Sequence, residues 1–332
     1  MATTVNNAFS KFMTDSVNLD KDVVTKARDS RDNLLSNISE FGNLDGFFDL
    51  CQNFNVHFGS FSRKTKCREL DDIDLMIGIS ANGATYNSSD PWDNVHITPS
   101  ITDSAQRACL NFDGTLNSTK VINKFKNKLV EVREYSRSDI HKSGEAVVLN
   151  LTSKVWSFDI VPCFHTVVES NGRSYYLIPN GKGNWKKTDP SKDRDHVTNS
   201  NQAKDGRLLE LVRLTKKWNK VKKATTIPSY LLETMVVNYT DSVSELDAYI
   251  DLRFINVLKY ISNNMLASIY DLKGIQGNIN TLSPEDRLLL QSKAHTDYLK
   301  ACTAQYYERN GMQKDAINKW REILGGDFPT YG

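Results

Sequence analysis

Three aspartates have the most chemistry to offer. Asp72 and Asp74 flank Ile73 at the start of an apolar run over residues 73–79, and Asp159 is the one charge in a second run over 155–161. On a β-strand, side chains two apart share a face, so Asp72 and Asp74 project together while Ile73 turns inward. Two neighbouring negative charges repel unless a cation accompanies them. Magnesium suits that role: it is a hard ion that takes carboxylate oxygen and completes its shell with phosphate and water. A carboxylate inside an apolar strand is costly without a partner. Placed beside the first pair, Asp159 completes a clamp for two ions roughly 3.5–4 Å apart, which stabilises the attacking and leaving oxygens of a phosphoryl transfer. Gly59-Ser60 follows another apolar run. A glycine there lets backbone amides approach a phosphate, and the serine hydroxyl adds a donor. A lone pair of spaced aspartates carries little, and Gly-Ser alone carries less; the order and spacing of all five residues carry the argument. No Walker-type phosphate loop occurs to compete with it.

Strands must position these side chains. Short apolar runs predict them over 54–58, 73–79, 146–151, 155–161 and 175–178. Helical spacing marks 21–41 and 119–135. The polar stretch 80–117 is too long for a turn and reads as a lid or insertion. After Pro190 the pattern turns helical, with helices expected over 207–223, 229–239, 243–265, 284–310 and 312–324. Ser283-Pro284 supplies a start signal, and Gly311 and Gly325 sit where helices stop. The expectation is therefore an α+β protein: a core over 1–190 with an N-terminal helix, a mostly helical domain over 191–332, and an active site in the cleft between them.

Composition limits the partners. The chain has 332 residues, 39% hydrophobic and 25% charged, as in globular proteins. A net charge of +2 is too small to imply a tightly held nucleic-acid duplex, whereas small anionic substrates need only a local basic pocket. The five cysteines are scattered and none has zinc-finger spacing, which fits free thiols in a reduced, cytoplasmic protein. The first thirty residues lack the apolar core of a signal peptide. No run approaches the ~20 apolar residues that cross a bilayer.

The segment from Phe58 through Ile77 resembles the glycine-serine and spaced-carboxylate signature of DNA polymerase β-like nucleotidyltransferases. WSFDIVPCF, IPNGKGNWKKTDP, LVRLTKKWN and IPSYLLE are similar to segments of the bacterial relatives of cyclic GMP–AMP synthase and oligoadenylate synthetase, the CD-NTases. WREILGGDFPTYG resembles their C-termini, while 80–117 departs from any such pattern. The resemblance implies a polymerase β-like core with a mixed sheet, followed by a helical domain. It implies that Asp72, Asp74 and Asp159 hold two magnesium ions, with manganese as a substitute. Gly59 and Ser60 would cradle the triphosphate, Lys216 would reach the β- and γ-phosphates, Ser229 would touch phosphate and Tyr230 would stack on a base.

The implied reaction joins NTPs into a cyclic oligonucleotide with release of pyrophosphate, as a second messenger in bacterial antiphage (CBASS) signalling. Two other outcomes stay open. One is a linear 2′–5′ product or transfer to a drug or protein acceptor; the other is a non-catalytic nucleotide-binding protein on the same scaffold. Regulatory or conjugating proteins acting on the C-terminal Pro329-Thr330-Tyr331-Gly332 are a further implied partner class, although a frayed tail is the simpler expectation. Lys182, Lys186, Lys187, Lys192 and Arg194 read as a solvated basic loop, and Lys120, Lys124 and Lys128 as an exposed helix face. His57 and His165 read as packed, and Trp218 as core.

Overall fold

The computed structural model describes residues 1–221 and 225–332. Its helices are α1 (Val5–Phe12), α2 (Lys21–Ser39), α3 (Gly59–Ser62), α4 (Ser104–Arg107), α5 (Ser118–Glu131), α6 (Pro190–Ala203), α7 (Leu208–Val221), α8 (Ser229–Ser242), α9 (Ile250–Asn264), α10 (Pro284–Arg309) and α11 (Gln313–Leu324). Its strands are β1 (Val56–Phe58), β2 (Asp72–Gly78), β3 (Thr85–Tyr86), β4 (Ile97–Thr98), β5 (Asp139–Ser143), β6 (Ala146–Asn150), β7 (Ser157–His165), β8 (Tyr176–Pro179) and β9 (Trp185–Thr188). The fold is α+β. No described helix is long and apolar enough to cross a membrane.

The chain packs as two compact units that interleave in sequence. One comprises residues 21–62 and 70–194, the other 1–20, 63–69 and 195–332. A single boundary after residue 190 was the sequence expectation, but long-range pairing returns both the first helix and the 63–69 segment to the helical unit.

The first unit is built on a mixed sheet with strand order β1-β2-β7-β6-β5, while β8 pairs with the far end of β7 and with β9. β2 and β7 run parallel, and the other pairings are antiparallel. Val56, Met76, Ala146, Val161, Cys163 and Ile178 form one apolar cluster of this unit. β5 and β9 lie outside the sequence expectation because their residues, DIHKS and WKKT, are polar. The stretch 80–117 is stitched down rather than hung as a lid. Val95 exchanges backbone hydrogen bonds with Trp185, and the Trp185 indole donates to Leu116 O at 2.9 Å. The Lys120 and Lys124 amines donate to Leu110 and Ala105 carbonyls, and Lys128 pairs with Glu131, so this helix face is committed rather than bare.

The helical unit surrounds a core containing Phe9, Trp218, Phe254, Trp320 and Phe328. Trp218 is fully buried, in agreement with its reading as core. Ser283 caps α10 by accepting from the Asp286 amide, and Gly311 and Gly325 follow α10 and α11 with positive φ. The expected end of α7 at Lys223 lies outside the described residues. α9 starts at Ile250 rather than 243 because nearby cations take the carbonyls a helix would need: Lys204 binds Val243 O and Ser244 O, and Arg207 binds Leu246 O. The last residues are exposed but not frayed. Ala2 N donates to Thr330 O at 2.9 Å, Gly332 N donates to Ala2 O, and buried Phe328 anchors the approach.

Candidate active site

The parallel pairing of β2 with β7 brings the carboxylates together. In register, Asp72 stands opposite Ser157, Ile73 opposite Phe158, and Asp74 opposite Asp159. Paired residues on neighbouring strands point to the same face at a strand spacing of about 4.8 Å, so Asp74 and Asp159 share a face with Asp72. Burial alternates accordingly: Asp72, Asp74 and Asp159 are half-buried, while Ile73 and Phe158 are buried. The Ser157 amide donates to Asp71 O at 2.9 Å and fixes the start of this register.

Gly59 closes the other flank. β1 runs antiparallel to β2 with Phe58 opposite Asp74, which delivers the next residue against that aspartate. Gly59 has φ +71, and a Cβ built on it would stand 1.6 Å from Asp74 Oδ2. The contact leaves no space for a side chain, and the positive φ independently favours glycine. Ser60 follows in the short turn α3, which Ser62 ties back by donating to His57 O at 2.9 Å. Among the described residues, no group of three or more His, Cys, Asp or Glu side chains is placed to hold a metal ion by itself. The donor set nonetheless fits magnesium, which takes one or two carboxylates and draws much of its shell from substrate phosphates and water.

The remaining expected site residues belong to the helical unit. Lys216 is buried, and its ammonium lies 2.6 Å from Glu233 Oε2 and 3.4 Å from Thr65 Oγ1. Arg63 engages the same carboxylate, with Nε 2.7 Å from Oε1, and Thr65 donates to Oε2 at 2.9 Å. Burial pushes the Glu233 carboxyl up, but Arg63 and Lys216 outweigh it and hold it at about 2. Lys216 is thus part of an anion-centred knot rather than a lone helix-face cation. Ser229 opens α8 and is exposed. Tyr230 is half-buried, with its hydroxyl on Asp271 Oδ1 at 2.6 Å.

Sequence reasoning passed over Arg63, Thr65, Glu233, Asp271 and Lys273. Glu233 carried a readable signal, a lone charge among Leu231, Leu232, Met235 and Val236, of the kind that marked Asp159. Other expectations are corrected. His57 is exposed on β1, whereas His165 does pack, stacked 4.6 Å from Phe54. The basic loop is not simply solvated: Lys186 pairs with Glu145, and Lys187 is buried against Glu169 at 2.7 Å. Both lysines lie on β9, where antiparallel pairing to β8 holds them in place.

No family model matches the chain. It is 38% identical to a probable cyclic nucleotide synthase of Bacillus cereus, covering 100% of this chain and 99% of that relative. Among solved structures it resembles CdnC of Escherichia coli, determined with ATP, at a TM-score of 0.71 and 15% identity, covering 98% of each chain. It also resembles DncV of Vibrio cholerae in its apo form, at 0.61 and 14%, covering 83% of this chain and 69% of that one. At those identities the structural likeness speaks for the fold, and the full-length relative settles the kinship: this chain belongs to the CD-NTase family of nucleotidyltransferases, the bacterial relatives of cyclic GMP–AMP synthase and oligoadenylate synthetase.

Proposed function

We propose that the protein condenses nucleoside triphosphates into a cyclic oligonucleotide, releasing pyrophosphate at each joining step. The observation that supports this most is the register of Asp74 with Asp159, on a face shared with Asp72 and closed by Gly59. Asp72, Asp74 and Asp159 would hold magnesium ions. Bound there, the ions supply charge neutralisation at the reacting phosphoryl group and lower the pKa of the attacking ribose hydroxyl. Parallel strands fix the carboxylates, so little reorganisation is needed as charge develops. Gly59, free of a side chain, lets the Asp74 carboxylate lie against the backbone; its amide and the Ser60 hydroxyl would donate to a triphosphate.

Roles for Lys216, Ser229 and Tyr230 rest on the family resemblance and on chemistry. Buried Lys216 offers a fixed positive charge, exposed Ser229 a hydroxyl for phosphate oxygen, and Tyr230 an aromatic face for a base. The relative's name supports a cyclic product, and the CdnC structure with ATP supports a nucleotide substrate. A messenger role in antiphage defence belongs to the same reading. So does a regulatory protein partner, since CdnC has been solved in complex with a HORMA protein. The test is incubation with all four NTPs and magnesium, then manganese, with mass spectrometry of small products. Phosphatase-resistant cyclic species are expected; only linear oligomers, or label on an added acceptor, would overturn the ring assignment.

A further inference from the structure

Tyr230 is held more firmly than a stacking ring on a helix start needs to be. Its hydroxyl donates to Asp271 Oδ1 at 2.6 Å and receives the Lys273 ammonium at 3.1 Å. That same ammonium stands 4.3 Å from the centre of the Tyr230 ring, within cation–π range, and 3.2 Å from Asp271 Oδ1. Both partners come from the loop between α9 and α10, and both are buried, Asp271 at 6% exposure and Lys273 at 5%.

The loop is bonded to itself around that carboxylate. Asp271 accepts from the amides of Lys273, Ile275 and Gln276 at 3.3, 3.1 and 3.1 Å. Its backbone closes the turn through Asp271 N to Gly277 O and Gly274 N to Asp271 O, both 2.9 Å. Burial raises the Asp271 carboxyl, but the Tyr230 hydroxyl, Lys273 and the loop amides outweigh it and keep it below the usual carboxylate range. An ionised carboxylate only accepts, and an ammonium only donates. The phenol proton is therefore directed to Asp271 and an oxygen lone pair to Lys273, so the edge and one face of the ring are both fixed.

We infer that Asp271 and Lys273 are positioning residues for nucleotide recognition: they lock the Tyr230 ring in the pose on which a nucleobase stacks. The inference rests on the proposed reading of Tyr230 as the base-stacking residue. It deepens that reading by assigning the loop a share of nucleotide affinity without contact to phosphate.

The test compares two probes on the full chain, by calorimetry in magnesium buffer: α,β-methylene-ATP, which carries a base, and inorganic tripolyphosphate, which does not. In Lys273→Met and Asp271→Asn, affinity for α,β-methylene-ATP should fall by ~3–10-fold, a fraction of what losing the stack would cost, while tripolyphosphate affinity stays within about twofold. In a Tyr230→Ala background, adding Lys273→Met should change nucleotide affinity no further, since the ring it steadies is gone. Equal losses for both probes, or a full additional loss in the Tyr230→Ala background, would mean the loop acts through general structure or phosphate and would overturn the inference. Wild-type binding with indifferent variants sinks the clamp alone. A wild-type chain that binds neither probe sinks the nucleotide reading and the clamp with it.

Discussion

Glu233→Gln removes the anion from the buried knot in the helical unit while keeping its shape. Glu233, Lys216 and Arg63 have side-chain exposures of 2%, 7% and 11%, so neither cation can turn to bulk water when the charge is lost. Breaking a buried pair by neutralising one member costs ~3–5 kcal/mol, because the other charge stays buried. The depressed carboxyl gives a comparable figure. A carboxyl held at about 2 against an ordinary 4.5 corresponds to about 3 kcal/mol of folding stability. Because the folded value is the lower one, that stability is complete above pH 4.5 and is lost as pH falls through about 2. Urea denaturation of both proteins at pH 7, 5, 4 and 3 should show a gap of ~3 kcal/mol at neutral pH that narrows with acid, since the glutamine cannot titrate. A neutral-pH gap below ~1 kcal/mol, or one that ignores pH, would refute the reasoning.

Other outcomes follow from single observations. Gly59→Ala forces a methyl onto Asp74 Oδ2; pyrophosphate release should fall by ~100-fold or more with the circular dichroism spectrum retained, because small displacements of a reacting centre are that costly. Trp218→Phe removes the indole that donates to buried Asp297 at 2.9 Å; chemical denaturation should show a loss of ~1–3 kcal/mol. Asp251 is buried in the first turn of α9. Burial raises its carboxyl, with Arg253 and the backbone amides of Leu252 and Asp251 opposing and Asp247 reinforcing the rise. A folded pKa above the unfolded one opposes folding increasingly as pH climbs past 3.8. Asp251→Asn should therefore raise the thermal midpoint by ~1–3 °C at pH 7, a gain that fades toward pH 3.

The clustered aspartates were legible because strand periodicity is a local rule: Asp72 and Asp74 share a face whatever β2 pairs with. Asp159 was legible as an expensive anomaly in an apolar run. Its exact partner, Asp74, needed the β2–β7 register, which no local pattern encodes. The same limit hid the Lys216–Glu233–Arg63 knot, whose members come from three places in the chain and meet only after packing. β5 and β9 were illegible for another reason. A strand whose side chains are largely polar lacks the alternation that betrays half-buried ones, and its pairing with β6 or β8 supplies the order instead. Residues 243–249 failed in the opposite direction: their composition suits a helix, but Lys204 and Arg207 capture the carbonyls.

The central claim is that a cation-binding face assembled by β2 and β7 performs nucleotidyl transfer. Its most direct test is the rate of pyrophosphate release from NTPs by Asp159→Asn, scaled to folded protein by circular dichroism. The account predicts a loss of at least ~1,000-fold with the fold intact, as expected when a metal-holding carboxylate is neutralised. A rate within about tenfold of wild type would contradict it.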